Sequence, residues 1–514
     1  MANPSSDPVF QLVKSLTRSE KRHFRLYTKR QGTNEGLKFL QLFDVLDNLH
    51  DYEEEKIIEQ VPNLKKPQLP NLKANLYKQL LSSLRLFHAN QNQDIQLLEQ
   101  LSYARVLYNK GLYRQCLKLL DKVKAAARQA ELQHIALTAI DFEKQIESQY
   151  ITRSLSGRAD SLSEEATDLA LHVSQAHELS NLSLRLYGVY IQAGHAKTQE
   201  DFEQFKAFFQ ENLPAIDLRG ASFMEKLYFY QAHVWYYYLV QDFKACYRYA
   251  QKWVDLFEAQ PEMKSVQPSL YIKGLHNLLA ALFNLQYYSR FEQVLQDLEQ
   301  FADDESLRHT PNTEVLLFLY STTNRINAYF MRGDFEGGVS WVPSLLKKLR
   351  QHQMQLDPHR RLIFYFKIAS LYFGSGDNQT AIRYLNKIIN YQDTNLREDI
   401  QCFARILRLI AYYEAGDDYE LELQIRSVYR FLGKMNDQNA MQVEIFRFLR
   451  RLGNVPPHEV KQAFADLKEK LTAIAENPFQ RRPFLYLDII SWLESKIESI
   501  PVQEVIRRKF RQLK

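Results

Sequence analysis

The stretch from Tyr365 to Ile389 constrains the fold of this chain more than any other. Apolar residues recur there at three- and four-residue spacing on both sides of Gly374-Ser-Gly376-Asp377. That periodicity gives two amphipathic helices, and the glycines and aspartate give a tight turn between them. Ala369 and Ala381 are small residues placed where the two backbones must approach. Tyr372, Tyr384 and Leu385 fill the space around that contact.

The unit recurs. Turn signals stand at Lys110-Gly-Leu-Tyr113, more weakly at Ser156-Gly157-Arg158, and at Thr198-Gln-Glu-Asp-Phe202, Gln241-Asp-Phe243 and Ser289-Arg-Phe291. They continue at Gly333-Asp-Phe335, Gly376-Asp-Asn378 and Gly416-Asp-Asp-Tyr419. Breakers at Asn212-Leu-Pro214, Gln260-Pro261, Thr310-Pro311, Asp357-Pro358 and Asp393-Thr-Asn395 separate the pairs. The pattern at Tyr365, Ala369, Tyr372, Gly376, Ala381 and Leu385 resembles a tetratricopeptide repeat. The spacing between turns, about 41 to 48 residues, exceeds the usual period of about 34 for that family. The resemblance therefore implies elongated, divergent tetratricopeptide-like pairs over residues 95 to 432. The expected fold is all-α: an α-solenoid of about eight antiparallel helix pairs, with a small helical module before it and a helical cap after it. The expected domains are residues 1–92, 93–432 and 433–514.

Asp7 before Pro8 predicts a capped first helix with Val9, Leu12, Val13 and Leu16 on one face. Ser19 is the expected cap of a second helix, which is strongly basic. Further helices are predicted near Leu37 to Leu49, Glu53 to Gln60 and Asn71 to His88, the last after a loop rich in proline. Its apolar face holds Leu72, Leu76, Leu80, Leu84 and Phe87. Beyond Gly433, helices are predicted near Ala440–Leu452, His458–Ala475, Pro483–Ser499 and Val502–Leu513, separated by Pro456-Pro457, Asn477-Pro478 and Ile500-Pro501. The end of a repeat array needs a polar outer face, which this segment is expected to supply.

Composition agrees with long helices, since glycine and proline number only 16 each while aromatics reach 13 %. The net charge of +5 is too small to mark the whole surface for nucleic acid. The first residues lack a charged start followed by an apolar run, so no signal peptide is expected. No apolar run of the length needed to span a bilayer occurs, so no membrane insertion is expected. Cys116, Cys246 and Cys402 are sparse and distant, poor material for disulfides or zinc; Cys116 and Cys246 fall where the repeat wants a small residue. A cytoplasmic location is the expectation.

No phosphate-binding glycine loop, His-Glu-x-x-His, Cys-x-x-Cys pair or Gly-x-Ser-x-Gly elbow is present. His352 and His359 flank Pro358, which argues against their sharing a helix face. An enzyme is therefore disfavoured, and no cofactor or metal is expected.

Binding has better support. In tetratricopeptide arrays the first helix of each pair lines a concave groove. The resemblance places Arg105, Tyr108, Gln231, Trp235, Tyr238, Asn277, Asn284, Tyr320, Asn324, Asn327 and Phe373 there. Side-chain amides donate to and accept from an extended peptide backbone, so the paired asparagines suit peptide capture. Asparagines between helices are more often plain solvated groups, and aromatics at helical spacing are more often core than ligand contacts. The run Trp235-Tyr-Tyr-Tyr238 must point in several directions, so part of it is core.

In the basic second helix Arg18, Lys21, Arg22, Arg25 and Lys29 form a stripe that would suit phosphates. A solvated surface is the plainer alternative. The order of a small helical module followed by long repeats also resembles the peptide-sensing regulators of Gram-positive bacteria. The ten-residue linker before Asn71 departs from the helix-turn-helix of their DNA-binding module. The leading expectation is a non-catalytic cytoplasmic scaffold that binds a protein or peptide in its groove. The alternative is a peptide-responsive regulator, or a ribosome- or nucleic-acid-associated factor, using the basic module.

Overall fold

The computed structural model describes residues 7–30, 34–89, 92–149, 157–304, 310–351, 356–391, 398–432, 440–452, 455–456, 458–477, 479–480 and 488–513. His352, the breaker at 393–395, Pro457, Pro478 and residues 483–487 lie outside them. Among the described residues every regular element is helical. No helix there is long and apolar enough to cross a membrane. The chain forms two compact units, Met1–Val173 and Ser174–Lys514.

The first unit holds α1 (Pro8–Ser15), α2 (Arg18–Arg30), α3 (Asn34–Asn48), α4 (Glu54–Gln60), α5 (Leu69–His88), α6 (Gln93–Asn109), α7 (Tyr113–Gln129) and α8 (Gln133–Gln149). The start of α9 (Arg158–Ala193) also belongs to it. Asp7 caps α1 as its position before Pro8 predicts, accepting from the backbone N–H groups of Val9 and Phe10 at 3.1 and 2.9 Å. The cap of α2 is Thr17 rather than Ser19. Thr17 N–H donates to Glu20 at 2.7 Å, and Thr17 Oγ1 accepts from the Glu20 N–H at 3.3 Å, a reciprocal box that satisfies two exposed donors. Val13, Phe24, Leu42, Phe43, Leu46, Ile57, Leu76 and Leu80 close the core of α1 to α5.

The second unit continues through α10 (Gln199–Asn212), α11 (Phe223–Leu239), α12 (Phe243–Ala259), α13 (Met263–Val266), α14 (Pro268–Leu285), α15 (Tyr288–Asp303), α16 (Pro311–Arg332) and α17 (Phe335–Gln351). After these come α18 (Pro358–Ser375), α19 (Asn378–Ile389), α20 (Glu398–Glu414), α21 (Asp418–Leu432), α22 (Ala440–Leu452), α23 (Val460–Glu476), α24 (Ile489–Glu498) and α25 (Val502–Leu513).

One turn geometry joins the pairs. Left-handed backbone occurs at Gly111, Gln241, Gln286, Gly333, Gly376 and Gly416, with φ between 57° and 90°. After each, an N–H reaches back to a carbonyl five residues earlier: Leu112 to Leu107, Asp242 to Tyr237, Tyr287 to Leu282, Asp334 to Tyr329, Asp377 to Tyr372 and Asp417 to Tyr412, all at 2.9 to 3.1 Å. This Schellman closure satisfies the last carbonyls of the first helix. The aspartate then caps the second helix: Asp242, Asp334, Asp377 and Asp417 each accept the N–H three residues on, at 3.0 to 3.1 Å. The fifth residue past the left-handed position is buried every time: Cys116, Cys246, Phe291, Gly338, Ala381 and Leu421. Cys116 and Cys246 thus occupy the same packed position after their turns. Each points its thiol at a carbonyl of the preceding helix, Ala104 and Val234. A further turn of this kind, at Glu131 between α7 and α8, carries no glycine to announce it.

From α11 to α21 the helices pack largely in chain order. The first helices of the later pairs also touch one another, α14 with α16, α16 with α18 and α18 with α20, and among the described residues no comparable contact joins the second helices. The last helix turns back. Arg507 Nε donates to the carbonyl of Gly333 at 3.0 Å, and the Phe510 ring meets Tyr288 edge-on at 4.5 Å. Closer to the end of the array, Trp492 and Lys496 both donate to Glu414. α24 and α25 therefore lie against the turn ends of pairs far earlier in sequence.

Candidate ligand-binding face

α14, α16 and α18 are neighbours because each opens a pair. Proline at the first helical position begins all three, and Thr310 and Asp357 cap the second and third. Their facing side chains form a connected polar set. Lys367 on α18 donates to Asn327 Oδ1 on α16 at 2.6 Å. Asn324, one turn earlier, donates from Nδ2 to its own Tyr320 carbonyl at 2.8 Å and lies 3.2 Å from His276 Nδ1 on α14. The His276 ring stacks on Tyr320 at 4.0 Å and 5°. An amide N–H directed at Nδ1 fixes the neutral tautomer, leaving Nε2 as the donor. The side-chain oxygen of Asn324, fully buried, has no hydrogen-bond partner among the described residues.

The electrostatics follow from depth. Burial, with smaller contributions from Lys367 and Arg360, lowers the pKa of His276 to about 4. Burial alone lowers Lys367 to about 8. Lys273, one turn before Asn277, is lowered by burial and then by Arg360. Lys273, His276 and Lys367 all keep partial solvent contact, so they line a recess rather than a sealed core. Desolvation disfavours the charged form of each.

The sequence-predicted residues divide accordingly. Asn324 and Asn327 meet the set just described, but as buried supports for His276 and Lys367 rather than as open rungs. Asn277 and Asn284 are half-buried, each donating to the carbonyl four residues earlier at 2.8 and 2.7 Å. Tyr320 belongs to the face, and Phe373 is buried. Gln231, Trp235 and Tyr238 share a half-buried side of α11. There Trp235 lies 5.0 Å from Tyr187 and 5.6 Å from Tyr190 on α9, ring centre to ring centre. Tyr236, within the same aromatic run, is core and stacks on Phe209 at 4.2 Å. Arg105 and Tyr108 belong to the first unit. There Arg105 covers Phe142 at 3.8 Å beside an open pocket of about 230 Å³ lined also by Leu101, Thr138, Asp141 and Gln145.

The basic stripe of α2 is partly neutralised at home. Lys21 pairs with Asp47 at 2.5 Å, and Arg25 reaches Asp44 at 2.9 Å and Asp47 at 3.5 Å. Arg18, Arg22 and Lys29 remain exposed. His359 opens α18. Among the described residues no group of three His, Cys, Asp or Glu side chains is gathered as a metal would require.

Sequence reasoning missed Lys273, His276, Arg360 and Lys367. The available signal was negative: α14 and α18 contain no acidic residue at all. No family model matches the chain, and neither the comparison with curated proteins nor that with solved structures returns a match.

Proposed function

We propose that the second unit is a non-catalytic module that binds an extended protein or peptide segment along the first helices of its pairs. On this reading the array is a curved, tetratricopeptide-like solenoid with α11, α14, α16 and α18 on its inner side. The contacts that join first helices, without comparable ones between second helices, support that curvature, because the inner layer of a bend is the more closely spaced. The observation that carries the reading is the linked set from His276 through Asn324 to Lys367. It is polar, recessed and solvent-reachable, and its stacked ring and buried amides hold it in one geometry. Such a site is preorganised for a ligand. Asn277 and Asn284, whose side-chain carbonyls have no protein partner among the described residues, supply acceptors for the N–H groups of an added backbone.

The test is selection from a degenerate dodecapeptide pool by the immobilised full chain, read by mass spectrometry. The reading expects a retained subset that is lost from a Tyr320→Ala, Asn277→Ala variant of unchanged helicity. Retention that is identical for the variant, or no retention at all, contradicts it.

A further inference from the structure

The charge pattern of this face identifies the class of ligand, an inference that rests on the peptide-binding reading above. α14, α16 and α18 are helices of 18, 22 and 18 residues. Between them they hold a single acidic residue, Glu314, in a chain with 61 acidic residues in 514. The cations on the same helices fare differently. Arg325 is answered by Glu299 at 2.7 Å, and Arg360 by Asp357 at 3.3 Å. Lys273 and Lys367 have no carboxylate within ion-pair distance among the described residues, and the only side-chain hydrogen-bond partner of Lys367 there is the neutral amide of Asn327.

A recessed cation without a counter-ion costs stability, and several recessed cations of this chain are answered by a carboxylate. Lys124 faces Glu143 and Glu165, Lys496 faces Glu414, and Lys73 faces Asp7. Arg405 and Arg408, buried without a carboxylate, are each held by two side-chain or backbone oxygens. Lys367 meets one amide oxygen and Lys273 none among the described residues, which leaves both lysines open to a charge supplied from outside. The cations are also spread along the face. Arg360 acts on Lys273 and His276, while Lys367 acts on His276 from α18. The two lysines stand on different helices, α14 and α18, so an extended chain with separated charges suits them. Nearby, Asn324 keeps a fully buried oxygen with no partner and His276 turns its Nε2 donor away from Asn324, so neutral polar recognition is present between the charges.

We propose that this face takes an extended polypeptide segment carrying two or more carboxylates, one paired with Lys367 and another with Lys273. A nucleic acid backbone fits less well. Its phosphates are tracked by exposed rows of Lys and Arg, whereas these cations are recessed between helices and separated by amides.

The experiment measures binding of fluorescein-labelled hexaglutamate, hexaserine, hexalysine and oligothymidylate to the full chain by anisotropy at low salt. The variants are Lys367→Met, Lys273→Met and, as a surface control, Lys244→Met, each checked by its melting curve. Among the described residues the Lys273 side chain makes no hydrogen bond that its loss would orphan, so it keeps the test open if Lys367→Met misfolds. Hexaglutamate should bind best, and each groove variant should weaken it by about tenfold or more, with Lys244→Met unchanged. Equal affinity for wild type and groove variants overturns the proposal. So does preference for oligothymidylate with the same lysine dependence. Preference for hexaserine or hexalysine overturns the acidic class while leaving the peptide groove standing; failure to bind any of the peptides counts against both.

Discussion

Arg507 donates to the backbone carbonyl of Gly333 across 174 residues of chain, at 3.0 Å. Gly333 is left-handed, with φ +64°, and a Cβ added there would lie 2.9 Å from both the Arg507 backbone nitrogen and the Gln503 carbonyl oxygen. The turn of one helix pair and the seat of the final helix therefore depend on the same missing side chain. Gly333→Ala should destabilise the second unit by about 1–2 kcal/mol from the backbone alone, with the steric conflict added. The urea midpoint should fall, and limited proteolysis should release α25 first. An unchanged midpoint would show that α25 does not seat there.

Gly374 makes a second such requirement where one pair meets the next. A Cβ there would come within 2.3 to 2.5 Å of the Phe335 ring, which is itself buried between α17 and its neighbours. Gly374→Ala should cost about 1–3 kcal/mol by overpacking. Pairing it with Phe335→Leu should recover part of that loss in a double-mutant cycle, and strict additivity would disprove the contact.

Two neutral histidines give the fold a pH dependence. Burial lowers His233 and His276 from 6.5 to about 4, with Lys252 adding to the first and Lys367 and Arg360 to the second. Between pH 6.5 and 4 the unfolded chain binds protons that the folded chain refuses. Their contribution is thus complete above pH 6.5 and is lost as pH falls toward 4. His233 also donates to the Phe229 carbonyl and stacks on Tyr249. Urea unfolding at pH 7 and pH 5 should show wild type losing more stability on acidification than His233→Gln. Equal losses would mean that His233 is protonated in the fold.

The pairs were legible because their turns use chemistry that leaves a mark. Gly333, Gly376 and Gly416 supply the left-handed residue and the following aspartate supplies the cap, so both letters are visible. Where the left-handed residue is Gln286 or Glu131 the mark disappears. The turn read near Ser289 to Phe291 actually lies at Gln286 and Tyr287, and the α7–α8 turn escaped notice. α1 to α5 were found to within a few residues, since caps and prolines bound them. The candidate face was less legible. Its asparagines drew attention as possible rungs, yet Asn324 is buried because it supports His276 48 residues away. That partnership depends on α14 and α16 touching, which periodicity along one helix does not encode. The absence of acidic residues on α14 and α18 was in plain view, and it acquires meaning only once those helices are known to be neighbours.

Lys367 offers the most direct test of the central claim, that this face receives a peptide. Its lowered pKa, about 8 through burial, leaves a sizeable neutral fraction near physiological pH. Competitive acetylation across pH 6 to 11, with each lysine followed by mass spectrometry, should show Lys367 titrating near 8. Adding the degenerate peptide pool should slow labelling of Lys367 and Lys273 while leaving Lys244 unaffected. Labelling of Lys367 that is the same with and without peptide would contradict the account.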